Sequence, residues 1–131
     1  MKKHKYFTLN ELCRSNVAAK YGIDNTPTSR EVLDNLDYTM NRLDEIREGY
    51  GKPIIINSGY RCKELNERVG GKPTSQHLRG EAVDIAWDSA LFDYILDNHG
   101  FDQLIREKSN GTRWIHISFK KLGERKQAIF R

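Results

Sequence analysis

From Val32 to Ile46 the apolar residues Val32, Leu33, Leu36, Met40, Leu43 and Ile46 recur at steps of three and four, the stripe of one long amphipathic helix. Thr28-Ser29-Arg30-Glu31 places a capping box in front of it, and Gly49 and Gly51 supply the stop. Such a stripe is core and needs a partner surface. The remainder of the chain offers strands: the β-branched run Pro53–Asn57, a segment around Ala82–Trp87, two more near Phe101–Glu107 and Arg113–Phe119, and a weak one near Gln127–Phe130. Helices therefore come mostly first and strands late, with Asn110-Gly111 as a hairpin turn between two of them. That order predicts an α+β fold, a small antiparallel sheet packed by helices, and argues against a βαβ repeat.

Shorter elements fill the gaps. Thr8-Leu9-Asn10-Glu11 is a second capping box, opening a short helix toward Ser15, and Gly22–Pro27 reads as loop. Ser58-Gly59-Tyr60-Arg61 turns out of the first strand, Lys63–Val69 can form a helix stopped by Gly70-Gly71, and Ser89 can cap a helix over Ala90–Asn98.

No repeat, low-complexity tract or linker divides the 131 residues, so the expectation is one domain over 1–131, long enough to bury a core without staples. The formal net charge of +4 would suit an anionic partner, but Lys and Arg are interleaved with Asp and Glu. No aromatic and basic interleaving or known motif supports a nucleic-acid binder, and no apolar run is long enough to span a membrane. A monomer is expected. The basic start Met1-Lys2-Lys3-His4-Lys5 has no apolar stretch behind it, so no secretory signal is read. The chain is expected to be cytoplasmic as made, with Cys13 and Cys62 as reduced thiols, and any work on a cell wall would need another route of release.

Chemistry concentrates in Ser75-Gln76-His77-Leu78-Arg79-Gly80-Glu81-Ala82-Val83-Asp84. His77 sits in a loop, Asp84 on the strand after it, and Gly80 permits the turn that folds one back on the other. An imidazole and a carboxylate so delivered can share a cation, although this spacing alone also fits a polar loop entering a strand. A second segment, Trp114-Ile115-His116-Ile117-Ser118, alternates: burying the two isoleucines turns Trp114, His116 and Ser118 to the other face. His4 and His99 carry no such context and are read as ordinary histidines.

Together, Ser-x-His-x-x-Gly-x-Ala-x-Asp, the later Trp-x-His and the preceding Ser58-Gly59-Tyr60-Arg61 turn resemble the zinc D-alanyl-D-alanine carboxypeptidases and L-alanyl-D-glutamate endopeptidases of peptidoglycan, from about Phe7 to the C-terminus. The resemblance implies the small α+β fold also seen in hedgehog signalling domains, with Zn2+ on His77, Asp84 and His116. Three protein ligands with an open fourth position are the catalytic form of a zinc site. The resemblance also implies that Arg61 steadies an oxyanion or a substrate carboxylate, for which a guanidinium fork is suited. Ser75, Gln103 and Trp114 are expected to line the substrate site, and peptidoglycan stem peptides are the expected substrate.

In one respect the chain departs from that family, whose general base usually stands two or three residues before the last His. Trp114 and Arg113 occupy those positions here, and neither accepts a proton. If Asn110-Gly111 is a two-residue type I′ turn, Ser109 pairs with Thr112, Glu107 with Trp114 and Ile105 with His116. Glu107 then shares the face of His116 and becomes the candidate base. Glu81 competes for the role but faces away from Asp84 on an extended stretch. Two functional readings stay open: a wall peptidase of either carboxypeptidase or endopeptidase type, from a phage or its host, and a zinc-containing binding module of the same fold without peptidase activity.

Overall fold

The computed structural model describes residues 4–131; Met1, Lys2 and Lys3 of the basic start lie outside them. In chain order the elements are α1 (Leu9–Cys13), α2 (Asn16–Tyr21), α3 (Arg30–Tyr50), β1 (Ile56–Ser58), α4 (Lys63–Arg68), a 3-10 turn (Gln76–Arg79), β2 (Ala82–Ala86), α5 (Ser89–Asn98), β3 (Gln103–Ser109), β4 (Thr112–Ser118) and β5 (Gln127–Phe130). The strands form one sheet in the order β1-β2-β4-β3-β5. Its first three pairings are antiparallel as expected, but β5 runs parallel to β3. The segment 119–126 stays at the end of the sheet where β4 finishes and steps past the start of β3, so β5 begins beside Gln103 and runs in the direction of β3.

Ser29 caps α3 through Val32 N–H, and the helix runs through Gly49 before Gly51 closes it in a left-handed conformation. Its buried face is Leu36, Met40, Leu43 and Ile46, joined by Thr39. These side chains pack with Val83, Ile85, Leu104, Ile115 and Ile117 of the sheet and with Leu91, Phe92 and Ile95 of α5. Each such side chain contributes roughly 1.5–3 kcal/mol on burial. Helices thus cover one face of the sheet, and the opposite face is left to carry chemistry. Among the described residues no helix is long and apolar enough to cross a membrane.

Three local expectations shift. The run Ile54-Ile55-Ile56 is not buried throughout: Ile54 and Ile56 are inside while Ile55 is 58% exposed, because β1 is a short edge strand with one face open. The helix α2, capped by Ser15 and ended by Gly22, arises where only Ala18 is buried, so no apolar period announces it. The cap of α5 is Asp88, whose carboxylate accepts from Ala90 and Leu91 N–H, and not Ser89. Cys13 and Cys62 are unpaired, as expected of thiols.

Candidate metal centre and its cleft

Asp84 and His116 face each other directly across β2 and β4, and Ala82↔Ser118 and Ala86↔Trp114 flank them on the same face. The isoleucines of both strands point into the core, so the alternation read from Trp114–Ser118 is what turns His116 outward. His77 arrives from the 3-10 turn. The result is His116 Nδ1 at 3.0 Å from Asp84 Oδ1 and His77 Nε2 at 3.4 Å from Asp84 Oδ2. One donor atom from each of the three lies within 4.8 Å of the others.

The surrounding chain explains why His77 stands there. Its Nδ1–H donates to the carbonyl of Gly59 at 2.7 Å, and since a carbonyl only accepts, Nε2 is left with its lone pair toward Asp84. Arg61 N–H in turn donates to the carbonyl of His77 at 3.1 Å. The Ser58–Arg61 turn thus grips the histidine from both ends. Gly59 itself is pressed on α1: a Cβ there would stand 2.2 Å from the carbonyl oxygen of Leu12, which also accepts from Tyr60 N–H at 2.7 Å. On the other side α3 holds the end of the 3-10 turn. Asn35 donates to the carbonyl of Arg79 at 2.9 Å and buried Thr39 to that of Gly80 at 2.8 Å. Gly80 has φ +75, and an added Cβ would meet Leu36 Cγ at 2.8 Å.

Electrostatically the trio is tuned to one anion. Burial pushes the Asp84 carboxyl up, but the hydrogen bond from His116 and the two imidazoles beside it outweigh that and hold the group well below the ordinary carboxylate range. Two imidazoles and one carboxylate, with no thiolate among them, suit a borderline divalent cation. A backbone carbonyl that fixes the ring of a ligating histidine is the arrangement metal sites use. The residues therefore fit a metal.

All the sequence-predicted site residues line one cleft of about 650 Å³: Arg61, Ser75, His77, Asp84, Gln103, Glu107, Trp114 and His116. The hairpin has the expected register, Ser109↔Thr112, Glu107↔Trp114 and Ile105↔His116, with Asn110 at φ 49 and Gly111 at φ 79 as a type I′ turn requires. Glu107 is thereby on the face of the metal trio, where Arg131 Nη1 donates to it at 3.3 Å. Glu81 does not line the cleft; Arg79 holds its carboxylate at 2.7 Å. Arg61 is half-buried, its Nη2 donating to Ser75 Oγ at 3.4 Å and its buried Nε without a partner among the described residues. Burial lowers the pKa of this guanidinium, an effect partly offset by the charge of Asp84. Ser75 is occupied as the cap of the 3-10 turn, accepting from His77 N–H at 3.2 Å, and Gln103 donates to Gln127 of β5 at 2.7 Å.

The family described as Peptidase M15 matches residues 5–118. The chain belongs to the M15 peptidase family. A zinc D-Ala-D-Ala carboxypeptidase of Streptomyces albus G is 35% identical to the M15 chain over 103 residues, which make up 76% of this chain and 39% of that protein. The M15 chain thus spans well under half the length of the curated relative it matches.

Several positioning residues of the M15 chain escaped the sequence reading. Asn25, in what reads as loop, donates to the carbonyls of Cys13 and Tyr60 at 2.7 and 2.9 Å and accepts from Cys62 N–H at 2.7 Å, pinning the Arg61 turn. Asp102 is fully buried, accepting from Gln76 and Arg125, and Arg125 and Arg131 line the cleft. Arg125 lies in Glu124-Arg125-Lys126, a charge run that reads as a solvated face, and only the tertiary fold reveals its buried partner.

Proposed function

We propose that the chain is a zinc peptidase that hydrolyses peptide bonds in peptidoglycan stem peptides, of the D-Ala-D-Ala carboxypeptidase or L-Ala-D-Glu endopeptidase kind. The observation that carries it is the convergence of His77, Asp84 and His116 on a cleft that also presents Arg61 and Glu107. The name of the relative, a zinc D-Ala-D-Ala carboxypeptidase, supports both the metal and the substrate class. His77, Asp84 and His116 would hold the zinc, which when bound supplies a Lewis acid for the scissile carbonyl and acidifies water.

The chain's own residues do the rest. Arg61 lines the cleft with its guanidinium held only by a long bond to Ser75 Oγ, so it orients a substrate carboxylate or steadies the oxygen of the reacting carbonyl. Glu107 is placed on the metal face to take a proton from the attacking water and return it to the leaving amine. Trp114 offers an apolar wall beside it, and Gln103 a polar one. The carboxylate-seeking arginine favours wall peptides over internal bonds of ordinary proteins.

Purified muropeptides and casein, incubated side by side with and without a chelator and read by mass spectrometry, test the proposal. Chelator-sensitive cleavage of muropeptides is expected. Cleavage of casein with muropeptides intact would overturn it, and muropeptide binding without any cleavage would turn the reading to a binding module, which the absence of a base at Arg113 and Trp114 also accommodates.

A further inference from the structure

A second arginine in the cleft is built more firmly than its surface position suggests. Arg125 donates through Nε to Asp102 Oδ1 at 3.1 Å and through Nη2 to Oδ2 at 2.6 Å, and its backbone N–H reaches Oδ1 at 2.9 Å. Gln76, the neighbour of His77, donates to the same Oδ2 at 3.0 Å. The Asp102 side chain has no exposure, whereas that of Arg125 is 49% exposed and lines the cleft. The carboxylate thus fixes the plane of the guanidinium by one edge. The other edge, Nη1 with the outward hydrogen of Nη2, has no partner among the described residues, and the side chain lines the cleft.

The other spare cations of the cleft wall are less prepared. Arg131 spends Nη1 on Glu107, and Lys72 carries its charge on an unbranched stem with no side-chain partner among the described residues. A guanidinium held from behind offers its free fork at little entropic cost, and the planar group with two acceptors that fits it is a carboxylate.

Topology says which end of a substrate it would meet. Arg61 follows β1 at one edge of the sheet, Asp102 and Arg125 lie just before β3 and β5 at the other, and Asp84 and His116 of the metal trio stand on β2 and β4 between them. From the metal strands to that far edge is about two inter-strand steps, roughly 10 Å. An extended peptide covers this in about three residues.

We infer that Arg125 reads a free carboxylate carried by the substrate about three residues from the scissile bond, on the side of the metal away from Arg61. The inference rests on the peptidase reading and adds a specificity element to it: Asp102 and Gln76 are positioning residues, and Arg125 makes the contact.

Two synthetic stem peptides that differ only in whether that carboxylate is free or amidated provide the test. Their affinities for the metal-free chain are measured by calorimetry, and kcat and KM are measured for the zinc-loaded chain. The native chain binds the free acid roughly 10- to 100-fold more tightly than the amide, the difference appearing in KM and not in kcat. In Arg125→Gln that preference disappears. Because this variant leaves Asp102 without its partner, the double variant Asp102→Asn, Arg125→Gln removes both charges and gives the same loss of preference in a folded chain. Arg125→Lys keeps the charge without the fork and retains only part of the preference. No discrimination by the native chain, or discrimination that survives in the double variant, overturns the inference. If neither peptide is hydrolysed, the peptidase reading fails, and the calorimetric preference still decides the role of Arg125.

Discussion

His77 is held by backbone on both sides, its ring on the carbonyl of Gly59 and its own carbonyl under the N–H of Arg61. Glu107, across the same cleft, is held by the side chain of Arg131 alone, at 3.3 Å, on a strand whose continuation is exposed. The metal wall is made of buried backbone hydrogen bonds that leave no choice of position. The hairpin wall is made of long polar side chains that can re-pair. A fold built this way fixes the metal and leaves proton transfer and substrate choice to groups that are easily changed.

The contrast can be broken most severely on the metal side. A His77→Ala, His116→Ala double variant removes two of three ligands, and elemental analysis should show zinc falling from one per chain to none, with muropeptide turnover abolished. Retained zinc would show that the trio is not the site. Next in size is Glu107→Gln. Turnover should fall by roughly 10²–10⁴-fold with zinc content unchanged, while Glu81→Gln remains close to native. An inactive Glu81→Gln beside an active Glu107→Gln would transfer the base to the other wall.

A third variant probes the backbone grip without touching a ligand. In Gly59→Ala the new Cβ stands 2.2 Å from the carbonyl oxygen of Leu12, where no flexible side chain can give way. The turn must move and take the Gly59 carbonyl away from His77. We expect zinc affinity to drop about 10- to 100-fold by competitive titration, with roughly 3 kcal/mol lost from stability in a denaturant melt.

The smallest effect belongs to the hairpin side and is set by pH. Hydrogen bonding to Arg125 holds the Asp102 carboxyl down at about 2, against an ordinary value near ~3.9 when unfolded. A depressed carboxyl contributes stability that is complete above the unfolded value and is lost as pH falls from about 4 toward 2. Arg125→Gln raises the folded value, so it should cost roughly 1–3 kcal/mol at neutral pH and narrow the gap from native as the acid is approached. Acid melts followed by circular dichroism measure this, and parallel native and variant curves through pH 2–4 would deny the pair its role.

What could be read in advance divides along the same line. The α3 stripe, the outward turn of His116 and the hairpin register follow from period and turn chemistry, which are local properties of neighbouring residues. The trio was legible only through the family resemblance of its motifs, since Asp84 and His116 come from different strands and the spacing of His77 and Asp84 alone also fits a polar loop entering a strand. Asn25, Asp102 and Arg125 were not, because each owes its role to a partner distant in sequence and looks like loop or solvated charge where it stands. The same reason hid the parallel pairing of β5, which depends on the path of residues 119–126 and not on the strand's own composition.

The hairpin register has a consequence for the timescale of the site. Pairing of β4 with β2 ends at Trp114, and pairing of β3 with β5 ends at Arg106. Beyond those points residues 107–113 form a two-stranded ribbon with open edges, and 108–113 are exposed. Such a ribbon is marginal alone, so its amides should exchange with solvent by local opening at a free energy well below that of the sheet it grows from. Glu107 sits at the hinge between the two regimes. Its carboxylate can therefore swing in and out of the cleft by fraying of the ribbon's root, while the protected amides of Asp84 and His116 stay closed until the whole domain unfolds.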